Sequence, residues 1–97
     1  MRIISIKVLR EFWQKHNQAE QPLKSWWAEA KSANWKTFHD IKKSYNSADN
    51  VGNDRVVFNI KGNSFRLIVK FEYKLKIGFI RFIGTHDEYT KIKAGEI

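Results

Sequence analysis

The chain has 97 residues, no cysteine and a formal net charge of +8. This length predicts one domain over residues 1–97, and the lack of cysteine excludes disulfides and thiolate chemistry. A hydrophobic content of 42% with four Trp and seven Phe excludes a disordered chain. No apolar run is long enough for a signal peptide or a membrane span. The charge favours a polyanionic partner, usually nucleic acid, and we expect a cytoplasmic protein.

The chain is predicted to open with a short edge strand over residues 2–4 and a helix. From Ser5 onwards apolar residues recur three and four positions apart, which is the period of a helix. Ser5 is predicted to be the N-cap of this helix. The helix is predicted to end near His16 and Asn17, because Asn adopts a left-handed C-terminal conformation more readily than most residues. His16 is interpreted as a capping or surface residue.

Two further helices are predicted before residue 44. The second begins at Gln21 and Pro22, because proline suits the first helical position, and it ends near Asn34. The third begins at Thr37, which resembles a capping box together with Asp40 three residues later. All four Trp lie in this half of the chain, and we expect them to be core residues.

The second half of the chain has the period of strands. Residues 44–54 are rich in Asn, Asp, Ser and Gly, which predicts a polar loop. Apolar and polar residues then alternate over 55–61 and again over 64–73. The Gly-Asn dipeptide at 62–63 predicts a two-residue hairpin turn between them. A third strand is predicted over 77–83.

Together these elements predict an α+β fold. Helices within residues 5–43 are expected to pack on one face of an antiparallel sheet formed by residues 55–84. A short C-terminal helix is predicted over 86–92. The net charge is +3 for residues 1–54 and +5 for residues 55–97, so the predicted sheet is the more basic half.

Cationic side chains are predicted to collect on the sheet face that points away from the helices. If Ile80 and Phe82 face the helices, then Phe79 and Arg81 face the other way. Only Glu72 supplies an acid on that side. The pattern favours a nucleic-acid surface, and a solvated polar face without function is the alternative. The outward-facing polar set is Arg55, Asn59, Lys61, Arg66, Lys70 and Arg81.

Acid–base groups follow the last predicted strand directly, in Thr85-His-Asp-Glu-Tyr89. A histidine titrates near neutrality and serves as an acid or a base, whereas a tyrosine is a base only where cations lower the phenol pKa. Beside an arginine cluster, His86 and Tyr89 form a candidate phosphodiester-cleaving site, because arginines stabilise the charge of the transition state. Asp87 and Glu88 point in different directions without a third ligand, so no metal is expected.

Two segments of the second half carry a family resemblance, Phe58-Asn-Ile-Lys-Gly-Asn63 and Gly84-Thr-His-Asp-Glu-Tyr89. The opening residues 2–13 and the middle segments at Trp35 and over residues 40–49 extend the resemblance to nearly the whole chain. On these residues the chain resembles the HigB toxin family of the RelE/ParE-like superfamily.

The resemblance implies a RelE-like microbial-ribonuclease fold and a toxin of a type II toxin–antitoxin system. Toxins of this kind bind the ribosomal A site and cleave mRNA without a metal or another cofactor. The products are a 2′,3′-cyclic phosphate and a 5′-hydroxyl. The implied partners are a HigA-type helix-turn-helix antitoxin, the ribosome and mRNA, and operator DNA is reached only through the antitoxin complex.

The resemblance also implies roles for single residues. The arginines are phosphate and transition-state residues, and the His and Tyr are an acid–base or stacking pair. Thr90 stands where relatives often have Asp, so no acid acts at that position. The implied catalytic residues are Arg66, Arg81, His86 and Tyr89, and the implied RNA-binding residues are Arg55, Asn59, Lys61 and Lys70.

Two other functions remain as alternatives. A ParE-like inhibitor of DNA gyrase has the same superfold, and the fold alone does not separate it from a nuclease. The acid–base pair favours the nuclease, because a gyrase inhibitor does not need such groups. A noncatalytic basic RNA-binding module needs exposed aromatic residues on the sheet, and Phe79 is the only clear candidate.

Overall fold

The computed structural model describes residues 1–97 and places a layer of helices on one face of a five-stranded sheet. The strand order is β1-β5-β4-β3-β2, which makes β4 the central strand. The fold is therefore of the predicted α+β class. No helix has both the length and the apolar character needed to cross a bilayer. In chain order the elements are β1 (Arg2–Ile4), α1 (Ile6–Lys15), a 3-10 turn (Asn17–Ala19), α2 (Glu20–Ser32), α3 (Phe38–Ser44), β2 (Asp49–Gly52), β3 (Arg55–Ile60), β4 (Phe65–Glu72), β5 (Ile77–Thr85) and α4 (His86–Tyr89).

The sheet is mixed, whereas an antiparallel sheet was predicted. The predicted edge strand β1 is present, and it pairs parallel to β5, with Arg2 opposite Ile77. Parallel neighbours need a long crossover connection. The helical layer is part of that connection, because it carries the chain from β1 to the opposite edge of the sheet. From there the antiparallel strands β2 to β5 return to β1.

The predicted polar loop over residues 44–54 is wrong in part, because it contains the edge strand β2. This strand pairs antiparallel to β3, with Asp49 opposite Val57. The turn between them has two left-handed residues, Asn53 at φ 53° and Asp54 at φ 61°, as a tight type I′ hairpin requires. The polar composition concealed the strand because an exposed edge strand carries few apolar residues.

The turn between β3 and β4 also differs from the prediction. Ile60 pairs with Phe65, so the loop has the four residues 61–64 rather than two. The left-handed residues are Lys61 at φ 52° and Gly62 at φ 61°. The alternation of β3 therefore ends at Ile60, and Lys61 lies in the turn instead of continuing the strand.

The predicted helices are present, and Ser5 and Thr37 occupy the predicted N-cap positions, but neither side chain makes a capping hydrogen bond. Ser5 adopts a left-handed conformation, φ 75°. Asn17 starts a 3-10 turn and is not left-handed. Thr37 is the N-cap of α3 without a side-chain bond. Asp40 instead accepts a hydrogen bond from the main-chain N–H of Lys36 at 2.9 Å, and this bond lowers the pKa of the Asp40 carboxyl.

Aromatic side chains fill the core between the helices and the sheet. Phe58 lies at their centre, with ring centroids of Trp26 at 5.3 Å, Tyr45 at 5.3 Å and Trp35 at 6.4 Å. Such contacts stabilise a core beyond the area they bury. The prediction that the tryptophans are core residues is confirmed for three of the four, and Trp27 is half-buried.

The side of the sheet away from the helices, the outer face, is also partly covered. Val57 and Ile68 pair across β3 and β4 on this face, and Ile68 is 0% exposed. The predicted helix over residues 86–92 is wrong in its second half, because α4 ends at Tyr89. The residues that follow (90–97, the C-terminal segment) cross the outer face to the turn between β2 and β3, where Asn53 Nδ2 donates to the Gly95 carbonyl at 2.7 Å.

Two leucines provide a matched test of this packing. Leu67 in β4 is 0% exposed in the core, whereas Leu75 in the turn after β4 is 69% exposed. We expect Leu67→Ala to lower the free energy of unfolding by about 2–5 kcal/mol, because it removes buried methyl groups and leaves a cavity. Leu75→Ala should change it by less than about 0.5 kcal/mol. Urea denaturation measures both values, and equal losses would contradict the described core.

Candidate functional site

Strand pairing brings most of the predicted site residues to the outer face. Arg55 lies opposite Lys70, and Asn59 lies opposite Arg66, on the neighbouring strands β3 and β4. Arg81 comes from β5 on the other side of β4. Three strands therefore contribute polar or cationic side chains to one surface, as the alternation predicted.

Arg66 is held against Tyr89 at the end of the sheet near α4. Its guanidinium carbon lies 5.8 Å from the centre of the Tyr89 ring. Its Nη1 donates to the Asn63 carbonyl at 3.0 Å, whereas Nε and Nη2 make no hydrogen bond within the protein. The turn before β4 therefore orients the guanidinium and leaves one edge free, and such an edge fits two oxygens of a phosphate.

A capping box fixes the short helix that carries His86 and Tyr89. Thr85 Oγ1 accepts from the Glu88 N–H at 3.2 Å, and Glu88 Oε1 accepts from the Thr85 N–H at 2.8 Å. Both groups satisfy N–H groups that have no partner inside the helix. The bond from Thr85 holds the pKa of the Glu88 carboxyl below its usual value. His86 is exposed, its side chain makes no hydrogen bond, and Tyr89 follows it three residues later.

A β-bulge in β5 places Phe82 on the opposite side of the sheet from the predicted one. Ile80 pairs with Val69 and Phe82 pairs with Ile68, so Arg81 is an extra residue without a partner on β4. The face alternation shifts by one residue at this point. Phe82 therefore lies on the outer face beside Phe79, and the prediction that it faces the helices is wrong.

Gly84 accommodates the displaced Phe82 ring. A Cβ at position 84 would lie 2.5 Å from Cζ of Phe82 and 3.0 Å from Oε1 of Glu88. Glycine at this position therefore allows the ring and the capping carboxylate to approach the strand. The bulge and this glycine together add a second aromatic side chain to the outer face.

Arg55 and Arg81 meet at one main-chain oxygen of the C-terminal segment. The Ile97 oxygen accepts from Arg55 Nε at 2.6 Å and from Arg81 Nε at 3.3 Å. Arg55 Nη1 also donates to the Asn53 carbonyl at 2.9 Å. No Asp or Glu carboxylate lies within 4.0 Å of either guanidinium. No pattern in the sequence indicates this contact, because it joins residues that are far apart in the chain.

The two lysines predicted on this face have different surroundings. Lys70 is half-buried on the outer face, with its Nζ 3.8 Å from Glu72. Lys61 does not lie on the outer face. Its Nζ donates to Gln18 Oε1 at 2.6 Å, in the 3-10 turn of the helical layer. The physical reason is the four-residue turn, which ends the strand alternation one residue earlier.

His16 lies closer to the site than the sequence suggested. It is the C-cap of α1, as predicted, but it is half-buried, with its ring stacked on Phe12 at 4.3 Å and edge-on to Phe65 at 5.7 Å. Its charge is one of the smaller causes that lower the pKa of Glu88 in α4. A groove of about 400 Å³ opens beside it, between the end of α1 and the start of β4. The spacing of Phe12 and His16 by four residues is the signal that could have indicated this stacking.

Burial raises the pKa of the other two tyrosines. The pKa of Tyr73 is raised to about 12, mainly by burial and further by Asp54. The pKa of Tyr45 is raised by burial and by the hydrogen bond to Glu29. Neither is deprotonated near neutral pH, and Tyr89 is the tyrosine that lies beside a guanidinium.

A comparison with protein families decides the identity of this chain. A family model described as HigB_toxin, the RelE-like toxic component of a toxin–antitoxin system, matches residues 19–92, which is well over half of the chain. The chain belongs to the HigB toxin family. It is therefore a toxin with an antitoxin as its partner, and its α+β fold is that of a RelE-like toxin. No curated protein matches the chain.

The matched range of this HigB toxin includes all four residues predicted to be catalytic and ends before the last residues of the C-terminal segment. The contact of Ile97 with Arg55 and Arg81 therefore lies partly outside the part shared with the family. No group of three or more His, Asp and Glu side chains is arranged to hold a metal ion.

The Glu88 carboxylate of the HigB toxin allows a test of the capping interaction that holds α4. Because the pKa of Glu88 is lowered in the folded chain, its carboxylate stabilises the fold above the ordinary carboxyl pKa of about 4.3. This contribution is lost as the pH falls through the lower folded pKa. Glu88→Gln should be less stable than the unmodified toxin at pH 7 by about 0.3–1 kcal/mol. The difference should vanish in acid.

Urea denaturation across this pH range measures the difference. Glu11→Gln is the control, because Glu11 is exposed in α1 and makes no capping bond. A difference for Glu88→Gln that stays constant with pH would contradict the capping role of the carboxylate.

Proposed function

We propose that this HigB toxin is an endoribonuclease that cleaves mRNA in the ribosomal A site without a metal. The observation that carries the proposal is the position of Arg66, beside Tyr89 and on the same face as two further arginines. None of these arginines has an Asp or Glu carboxylate within 4.0 Å. No acidic side chain therefore neutralises their charge, which is available to a phosphodiester.

The arginines supply electrostatic stabilisation. A phosphodiester gains negative charge on its non-bridging oxygens when a 2′-hydroxyl attacks the phosphorus. Guanidinium donors aimed at these oxygens stabilise the transition state more than the ground state. Arg66, with its free Nε and Nη2, and Arg81, with both Nη groups free, are the proposed donors.

His86 and Tyr89 are the proposed acid–base pair. A base removes the proton from the 2′-hydroxyl while its oxygen bonds to phosphorus, and an acid protonates the 5′-oxygen as the P–O5′ bond breaks. The products are a 2′,3′-cyclic phosphate and a 5′-hydroxyl. The capping box supports this role, because it holds both residues on one turn at the end of β5.

The remaining cationic and polar side chains of the outer face are proposed to bind the RNA backbone. Lys70, Asn59 and Arg55 lie in line with the arginines along β3 and β4, where phosphate contacts would position the strand. Phe79 and Phe82 on the same face provide surfaces for base stacking. We do not include Lys61 in this set, because its Nζ is bonded to Gln18 on the helical layer.

The proposed partners follow from the toxin family and from this chemistry. The antitoxin is proposed to be of the HigA helix-turn-helix type, and operator DNA is bound only through the complex with it. Ribosomes and mRNA are the proposed targets in the cytoplasm. The net charge of +8 supports association with such polyanions.

Primer extension on a reporter mRNA tests the proposal when the toxin is induced in cells. Arg66→Ala and Arg81→Ala should each lower cleavage at in-frame positions by about 100–1000-fold, because each removes a transition-state donor. Arg10→Ala is the matched control, since Arg10 is exposed in α1 beside Trp27 and away from the sheet. It should cleave like the unmodified toxin.

Two other outcomes of this experiment would favour other functions. Intact mRNA together with growth arrest contradicts the nuclease and favours inhibition of DNA gyrase. Intact mRNA that stays bound to the purified toxin favours a noncatalytic RNA-binding module.

Variants of the proposed acid–base pair distinguish proton transfer from stacking on an RNA base. Tyr89→Phe keeps the ring beside Arg66 but loses the hydroxyl, and His86→Ala removes the imidazole. If these groups transfer protons, each variant should lower the single-turnover cleavage rate by about 100–10,000-fold while RNA binding is unchanged. Quenched cleavage of a ribosome-bound mRNA measures the rate. Cleavage by both variants at the unmodified rate would show that the assignment is wrong.

A further inference from the structure

The C-terminal segment (residues 90–97) contacts the cations of the outer face through its main chain. The Ile97 oxygen lies 2.6 Å from Arg55 Nε and 3.3 Å from Arg81 Nε, between two guanidiniums from different strands. Two guanidiniums directed at one oxygen form the arrangement that binds an anion such as phosphate. The geometry around Ile97 is therefore that of an anion site with a main-chain oxygen in it.

We propose that Arg55 and Arg81 form a phosphate-binding subsite and that the C-terminal segment blocks it as an internal competitor. RNA gains access to the subsite only when the segment leaves the outer face. The ligand class, an RNA phosphate, rests on the proposed function, but the competition between the segment and an anion does not need cleavage.

The number of hydrogen bonds decides which occupant the two arginines prefer. The Ile97 oxygen accepts one N–H from each guanidinium, and both Nη groups of Arg81 make no hydrogen bond within the protein. A phosphate is ionised and presents several oxygens, so it bonds to these free donors as well. A phosphate that reaches Arg55 and Arg81 is therefore bound more tightly than the single Ile97 oxygen that it replaces.

Specific anchors hold the segment on the face. Asn53 Nδ2 donates to the Gly95 carbonyl at 2.7 Å. Position 95 also approaches β2 so closely that a Cβ there would lie 2.5 Å from the Val51 carbonyl oxygen. A glycine is therefore needed for the closed position, and a single methyl group at 95 would force the segment away from β2.

The same segment is weakly held in other respects. It has no helix or strand after α4, and its ion pair between Lys93 and Glu96 is long, 4.0 Å, and largely exposed. None of residues 90–97 is buried, and segments with few buried contacts open at low free energy. If the open state is populated about one tenth of the time, the apparent affinity for RNA is about ten-fold weaker than that of the open protein.

Two variants open the segment by different means. Gly95→Ala keeps every other atom of the segment and introduces the clash with Val51. A chain that lacks residues 93–97 removes the contact of Ile97 with both arginines. Ser25→Ala is the control, because it places the same side chain at an exposed position of α2. Neither opening variant changes a residue that is proposed to be catalytic.

Binding of a fluorescently labelled 2′-O-methyl oligoribonucleotide measures the competition, because this probe has no free 2′-hydroxyl and is not cleaved. We expect Gly95→Ala and the shortened chain to bind it about ten-fold more tightly than the unmodified toxin. Adding Arg55→Ala to either variant should abolish most of this gain, because the subsite is then incomplete. Hydrogen exchange of residues 90–97 should become faster when the probe binds the unmodified toxin.

Equal or weaker binding by a folded Gly95→Ala variant would overturn the proposal and leave the segment a structural cover of the outer face. Slower hydrogen exchange of the segment in the RNA complex would overturn it as well. These outcomes are separate from the nuclease test. If the opening variants bind the probe more tightly but reporter mRNA stays intact, the segment competes with RNA and the toxin is not a nuclease. If mRNA is cleaved but probe binding is unchanged, the toxin is a nuclease and the segment does not compete.

Discussion

The central strand β4 is the element on which the core and the candidate site both depend. Its residues Leu67, Val69 and Phe71 face the helices and are fully buried, while Arg66 and Lys70 alternate onto the outer face. Because the side-chain period of a strand is two, burying one set fixes the other set on the opposite side. A shift of pairing by one residue would bury charged groups without partners, which is strongly unfavourable. The hydrophobic core therefore sets the register that brings the arginines together.

Two irregular features shape the end of the sheet near α4. The bulge at Arg81 shifts the alternation of β5, so that Ile83 faces the core and Phe82 faces outward. Gly84 then leaves room for the Phe82 ring below the capping carboxylate of α4. A regular strand would instead place Phe82 in the core, and the outer face would have one aromatic side chain fewer. The bulge therefore changes the chemistry of the surface without changing the strand order.

Main-chain oxygens, rather than acidic side chains, hold the arginines of the outer face. Arg66 donates to the carbonyl of Asn63, and Arg55 donates to the carbonyl of Asn53 and to the main-chain oxygen of Ile97. A carboxylate would orient a guanidinium equally well but would cancel its charge. Carbonyl acceptors restrict the side chains while most of the positive potential remains for an anion. This arrangement explains how a small basic domain keeps an ordered cationic surface, and why its own C-terminal segment is able to occupy that surface.

The sequence by itself determined the α+β class, the three N-terminal helices, the strands β3 to β5, the presence of a short helix after β5 and the family. Each of these depends on a local period or motif. Alternation along β3 and β4 was sufficient to place Arg66 and Lys70 on one face. Only the tertiary structure decided that β1 pairs parallel to β5, that an extra residue turns Phe82 outward and that Lys61 binds the helical layer. It also decided that residues 90–97 cross the sheet to Arg55 and Arg81. These features depend on contacts between residues far apart in the chain, and neither the hydrophobic period nor a short motif records such contacts.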